Sequence, residues 1–318
     1  MHSPSWKAAL LVALVLPLTL AQNIRAIFLF KDVLKSNTTA LTQSGFNSAI
    51  MFGVGVVANG SIMYYSNTPG TSDVMIASGG RYVGGAALQD KVRSLKGSGS
   101  KITRVEICMN SANIRELMNS PGPGADTDIY RNFAALKTAW NLDAVNNNDE
   151  ALYHVASTVT FGRMVGAIGY KYSATPYTRV AFYQDVKKQL GAALMDRFYL
   201  QCYDGGANND PLQWQTQLGA KVVPLLWVVN DSKPSNGQTP AQAKTKFAAW
   251  KAKGELGGAG YWNEFDIEKM KSSYTDYANV LNELFPGAAT AAKVARNHLS
   301  RRSTWQGKAR SVPRRMTA

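Results

Sequence analysis

Residues 143–150 read Asp-Ala-Val-Asn-Asn-Asn-Asp-Glu and follow the lead-in Ala139, Trp140, Asn141, Leu142. A β-strand alternates its side chains with period two, so Asn146, Asn148 and Glu150 project to one side of such a strand. Three polar groups stacked on one face of an otherwise buried strand are costly unless they bond one another or a ligand. At the C-terminal end of a barrel strand, that face is where chemistry sits. Asn and Asp are also the ordinary turn residues, so the stretch taken alone reads equally as a polar turn.

Outward from this stretch, short runs rich in β-branched and aromatic residues alternate with amphipathic ones, the pattern of a parallel sheet covered by helices. The strand-like runs fall at 26–30, 48–54, 104–109, 142–147, 171–176, 197–203, 222–228 and 258–262. Helical runs fall at 86–95, 128–140, 152–168, 178–190, 211–218, 239–253 and 274–284. Eight strands with their helices inside residues 22–287 predict an α/β fold, a single (β/α)8 TIM barrel, at the usual length for one. Thr239-Pro240 provides an N-cap followed by Pro at the first helical position, and Gly254 marks that helix's stop. After the second strand, the runs 61–65 and 74–83, joined by Asn67-Thr68-Pro69-Gly70, predict a β-hairpin over the barrel mouth. Its Tyr64, Tyr65 and Tyr82 either wall a groove or pack on the rim.

Lys7 ahead of the apolar run 8–20 and the small residue Ala21 reads as a secretory signal peptide over 1–21, its apolar part too short for a comfortable membrane span. The expected location is therefore extracellular. Sequons at Asn37, Asn59 and Asn230 fit a glycosylating route. The formal net charge is +14, yet Lys7 and eight basic residues in 288–318, a stretch without acids, supply most of the excess. That composition predicts a disordered tail, with contact to a polyanion as the alternative, rather than a nucleic-acid interface. Only two cysteines occur, Cys108 and Cys202, both in apolar runs, and buried free thiols are expected. His2, His154 and His298 are too scattered for a metal site, and no phosphate loop is present, so neither metal nor cofactor is expected. A monomer is expected, without nucleic-acid or membrane partners.

The sixth strand exits as Gln201-Cys202-Tyr203-Asp204-Gly205-Gly206 and the eighth as Gly258-Ala259-Gly260-Tyr261-Trp262-Asn263, while the seventh carries Trp227 and the fifth Ala174-Thr175-Pro176-Tyr177. An indole face suits the apolar face of a sugar ring and equally well a protein core. Taken with 143–150, these segments resemble glycoside hydrolase family 18, the chitinases and endo-N-acetylglucosaminidases, whose signature is Asp-x-x-Asp-x-Asp-x-Glu. Asp143 and Glu150 match it, while Asn146 and Asn148 stand where that family has aspartates.

The resemblance implies a carbohydrate partner: β-linked N-acetylglucosamine-containing glycans of chitin, cell-wall or N-glycan type, cleaved by substrate-assisted retaining hydrolysis. It implies Glu150 as general acid, Asn148 as the group that orients the substrate acetamide, and Tyr203 as a hydroxyl touching that acetamide. Asp143, Asn146, Gln201, Asp204, Trp227 and Trp262 are implied as substrate-binding. A neutral amide at 148 does not stabilise a positive oxazolinium as a carboxylate would, whereas family 85 endo-N-acetylglucosaminidases use an Asn-x-Glu pair for the same step. The two asparagines leave open a second reading, a catalytically inactive chitinase-like lectin. Asp149, on the opposite face, is expected to be structural.

Overall fold

Strands roofed by helices outside and packed against side chains within have no water-facing side, which is why the strand runs here are buried nearly throughout. Arg104–Met109, for example, is buried at every position. The computed structural model describes residues 23–287. The expected signal peptide and basic tail lie outside the described residues.

In chain order the strands are β1 (Ile24–Leu29), β2 (Ser48–Val56), β3 (Ile62–Tyr64), β4 (Val74–Ser78), β5 (Arg81–Tyr82), β6 (Arg104–Met109), β7 (Ala144–Asn147), β8 (Lys171–Ala174), β9 (Met195–Gln201), β10 (Val223–Val228), β11 (Gly237–Gln238) and β12 (Gly258–Trp262). Strands β1, β2, β6, β7, β8, β9, β10 and β12 pair in parallel around a ring, and β12 returns to β1. This is the predicted (β/α)8 barrel. The seam lies at Ile24 and Gly258, where φ is +141° and a Cβ would stand 2.0 Å from the Ile24 carbonyl oxygen. Only glycine lets the last strand close there.

Among the described residues ten helices surround the ring: α1 (Thr38–Ser44), α2 (Ala86–Ser94), α3 (Ile114–Asn119), α4 (Asp128–Trp140), α5 (Val155–Ile168), α6 (Val180–Leu190), α7 (Pro211–Leu218), α8 (Pro240–Lys253), α9 (Glu264–Lys269) and α10 (Tyr274–Leu284). Thr239 caps α8 in a reciprocal box with Gln242, as Thr239-Pro240 foretold. The helices α1, α3 and α9 were not read from sequence, because six or seven residues are too few to display a helical period. Strand β9 begins and ends two residues earlier than expected, since Tyr203 already leads into a tight turn over Asp204–Gly206.

The insertion after β2 is a three-stranded antiparallel meander and not a hairpin. Strand β3 pairs back on the end of β2, β4 on β3, and β5 on β4. The stretch 74–83 contains a turn of its own at Gly79 and Gly80, whose φ values of +57° and +73° suit a two-residue hairpin turn. Tyr64 is buried, with its hydroxyl accepting from Val33 N and donating to Lys31 O, and Tyr82 packs beside Trp140. Of the three tyrosines only Tyr65 reaches the barrel mouth.

Packing divides into two shells. The larger lies between barrel and helices, and a smaller one fills the barrel with Ala26, Phe28, Ile50, Cys108, Tyr199 and Leu225 among others. Both cysteines are buried and unpaired, Cys108 in the inner shell and Cys202 in the outer one, and burial raises both thiols. Asn230 is only 1% exposed, and its amide bonds Val228 O, Ser232 and Lys233 N, so it has no room for a glycan, whereas Asn37 and Asn59 are exposed.

Candidate active site

The strand β7 ends at Asn147, and the chain beyond it carries Asn148 and Glu150 onto the mouth. Asn147 faces the helices, bonding Ser111 and the Tyr172 hydroxyl, while Asn146 faces inward. Asp149 is buried and its carboxylate accepts from the backbone of Ala151, Leu152 and Tyr153. It pins the loop that follows Glu150, the structural part expected of it. Glu150 is exposed, and Asn148 Nδ2 stands 3.4 Å from its Oε1. Gln201 Nε2 donates to Asn148 Oδ1 at 3.2 Å, so the amide of Asn148 is held by a side chain two strands along the ring.

Glu150 and Asn148 line two adjoining cavities. The smaller, about 260 Å³, is a bowl formed by Phe28, Phe52, Gln201, Tyr203, Trp227 and Trp262, with Asp204 on its edge. Trp262 lies nearly parallel to Tyr203 at 6.4 Å and edge-on to Phe52 at 4.8 Å between ring centres. Burial pushes the Tyr203 phenol well above its ordinary value, leaving a neutral hydroxyl. Trp227 Nε1 donates to Asp266 at 2.7 Å, and Asp204 pairs with Lys233 at 2.5 Å. The larger cavity, about 740 Å³, opens from Glu150 across the end of β6, between the β2 and β7 exits, where Tyr65, Asn67, Asn110 and Asn113 lie.

The structure therefore brings Glu150, Asn148, Gln201, Tyr203, Asp204, Trp227 and Trp262 to one mouth. It does not bring Asp143 there. That residue precedes the first residue of β7, at the opposite end of the barrel, where its carboxylate pairs with Lys96 Nζ and accepts from Val105 N, both at 2.7 Å. Asn146 also stops short of the surface: it is fully buried one layer below, between Ser173 and Thr175.

Several solved structures are similar to this one. A chitinase from Chromobacterium violaceum matches with a TM-score of 0.55 at 12% identity, covering 82% of this chain and 98% of that one. A class V chitinase from Nicotiana tobaccum gives 0.53 at 10%, covering 82% and 99%. A family 18 chitinase variant from Cycas revoluta, solved in complex with (GlcNAc)4, gives 0.55 at 9%, covering 82% and 99%. The barrel has the family 18 chitinase fold. No family model matches the chain, and no curated protein does.

Within this chitinase-type barrel, two fully buried carboxylates went unread from sequence. Glu264, in the first turn after β12, accepts from Phe30 N at 2.5 Å, Ser36 Oγ at 3.0 Å and Lys31 N at 3.3 Å, and burial pushes it up to about 7. It ties the β1 exit to the start of α9, two residues after Trp262, and Phe30 packs on that indole at 5.4 Å. Glu106 sits in mid-strand on β6. Its signal was present in Arg104 and Glu106, two residues apart and hence on one face of an apolar run.

Proposed function

We propose that this chain is a glycoside hydrolase that cleaves β-linked N-acetylglucosamine-containing glycans by substrate-assisted retention, and that it acts outside the cell. The observation that carries the reading is the position of Glu150 at the junction of an aromatic bowl and a larger polar-edged cleft, with Asn148 two residues before it. A terminal or internal N-acetylglucosamine ring lies in the bowl on Trp262, whose indole covers the apolar sugar face. The rest of the glycan occupies the larger cavity.

Glu150 gives its proton to the glycosidic oxygen while the substrate's acetamido oxygen attacks the anomeric carbon, so the C–O bond breaks as the oxazoline ring closes. Asn148 Oδ1 accepts from the acetamido N–H, and the Tyr203 hydroxyl donates to the acetamido oxygen. Water then opens the ring, giving its proton to the Glu150 carboxylate and regenerating the acid. Similarity to a chitinase solved with (GlcNAc)4 supports the substrate class.

The test is to incubate the chain with chitooligosaccharides and N-glycans and measure new reducing ends, with Glu150→Gln as control. The two asparagines in place of carboxylates favour a second reading, a glycan-binding protein without hydrolysis. Measurable binding with no new reducing ends on any of these glycans selects it.

A further inference from the structure

Below the mouth, the barrel holds a polar cluster that contacts none of the space where a glycan fits. Glu106 is fully buried and accepts from Arg104 Nε at 2.7 Å, from the Tyr199 hydroxyl at 2.6 Å and from Ser173 Oγ, with Arg197 Nη1 3.8 Å away. Arg104 also forks onto Asp196 at 2.5 and 2.8 Å. Burial pushes the Glu106 carboxyl upward, but the two guanidinium groups and two hydroxyls outweigh it and hold it below the ordinary carboxylate value. It is an anion at neutral pH, and an anionic carboxylate only accepts.

That fact propagates. The single hydroxyl proton of Ser173 is committed to Glu106, so Ser173 Oγ can only accept from the next group, which is Asn146 Nδ2 at 2.8 Å. Asn146 must then turn its Oδ1 to the Thr175 hydroxyl, 2.7 Å away. The Thr175 carbonyl accepts from Gln201 Nε2 at 3.1 Å, and the same nitrogen reaches Asn148 Oδ1 at 3.2 Å. Asn148 is left with its nitrogen toward Glu150.

We propose that Glu106 is a positioning residue of the glycan site: its charge fixes the amide of Asn146 through Ser173, and Asn146, by anchoring the Thr175 side chain, holds in place the Thr175 carbonyl on which the Gln201 amide sits as it meets Asn148. The proposal rests on the glycan reading for its consequence in catalysis, though not for the order itself. It also accounts for an amide at 146. An aspartate there would face Glu106 across one hydroxyl with one proton to give, so two buried anions would compete for it at close range.

The experiment compares Ser173→Ala, Asn146→Asp, Glu106→Gln and the double variant Glu106→Gln/Asn146→Asp in the full chain. Melting temperature, kcat and KM on (GlcNAc)4, and the side-chain amide NMR signals of Asn146 and Asn148 are measured. Ser173→Ala keeps the Arg104–Glu106–Tyr199 contacts. It should lower kcat at least tenfold with little change in KM, lower the melting temperature by only a few degrees for the acceptor lost to Asn146 Nδ2, and shift both amide signals. Asn146→Asp should lower kcat likewise, and the double variant should recover most of that loss. An unmoved Asn148 signal in Ser173→Ala overturns the proposal, as does a double variant no better than the product of the single effects. Should Glu106→Gln fail to fold, Ser173→Ala and Asn146→Asp decide. A wild-type chain that neither binds nor cleaves a glycan defeats the glycan reading alone, because the amide signals still report whether the order exists.

Discussion

Gln201 and Asn148 meet at the rim of the barrel mouth, Nε2 to Oδ1 at 3.2 Å, and that contact turns the Asn148 nitrogen toward Glu150. A carboxamide is thus the immediate companion of the proposed acid, and it arrives already oriented by a side chain from β9. Preorganisation of this kind removes the cost of ordering the group when a substrate enters.

Glu150→Gln keeps the shape of the mouth and removes the transferable proton. Hydrolysis should fall about a hundred to ten thousandfold while (GlcNAc)4 affinity is retained, as measured by reducing-end release and calorimetry. Equal loss of binding and turnover would place Glu150 in substrate binding only.

Trp262→Phe retains an aromatic floor but shortens the platform on which a pyranose would lie. Affinity for (GlcNAc)4 should weaken about tenfold, roughly 1.4 kcal/mol, with the melting temperature changed by only a few degrees. An affinity equal to wild type would move the sugar off this indole.

Glu264 predicts a pH dependence of stability. Burial raises its folded value to about 7 from 4.5, so between these values the folded chain holds a proton that the unfolded chain has released. The contribution is fully present below about 4.5 and is lost as pH rises through about 7. The wild type should therefore lose stability relative to Glu264→Gln across that window, by on the order of 3 kcal/mol, in urea melts at stepped pH. A constant difference between the two proteins would show that Glu264 does not titrate there.

Cys108 and Cys202 are buried, and burial raises both thiols, so neither presents a thiolate to solvent. A thiol-specific chromogenic reagent should find no reactive group in the native chain and two after denaturation without reductant. One or none after denaturation would mean that a thiol is already oxidised.

The barrel was readable because its strands are buried on both faces, and 104–109 and 258–262 matched their strands to the residue. Glu150, Gln201, Tyr203 and Trp262, which the resemblance singled out, meet at one mouth because each stands at or just beyond the end of its strand. Spacing reports which face a residue takes and says nothing of its height. At about 3.3 Å per residue, the positions from Asp143 to Glu150 span the barrel from one end to the other, so Asp143 shares the motif without sharing the mouth. Asn146 lies between those ends, in the buried layer. Glu106 and Glu264 escaped because their partners come from distant segments, Ser173 and Tyr199 for one and the β1 exit for the other, and those meetings exist only after the ring has closed. Asn230 failed as a sequon for a similar reason: its triplet is local, while its burial depends on how the β10 exit folds back on itself.

The contact of Gly258 with Ile24 sets an order on synthesis. The first strand leaves the ribosome long before the last, and until β12 arrives the growing sheet has two open edges, each a row of unsatisfied backbone groups. Long-range closure of this kind is slow, and the partly wound sheet is the species most exposed to aggregation. A side chain at 258 would therefore act on the nascent chain, prolonging the time before the ring shuts, and would lower the yield of folded protein even where the mature site is untouched.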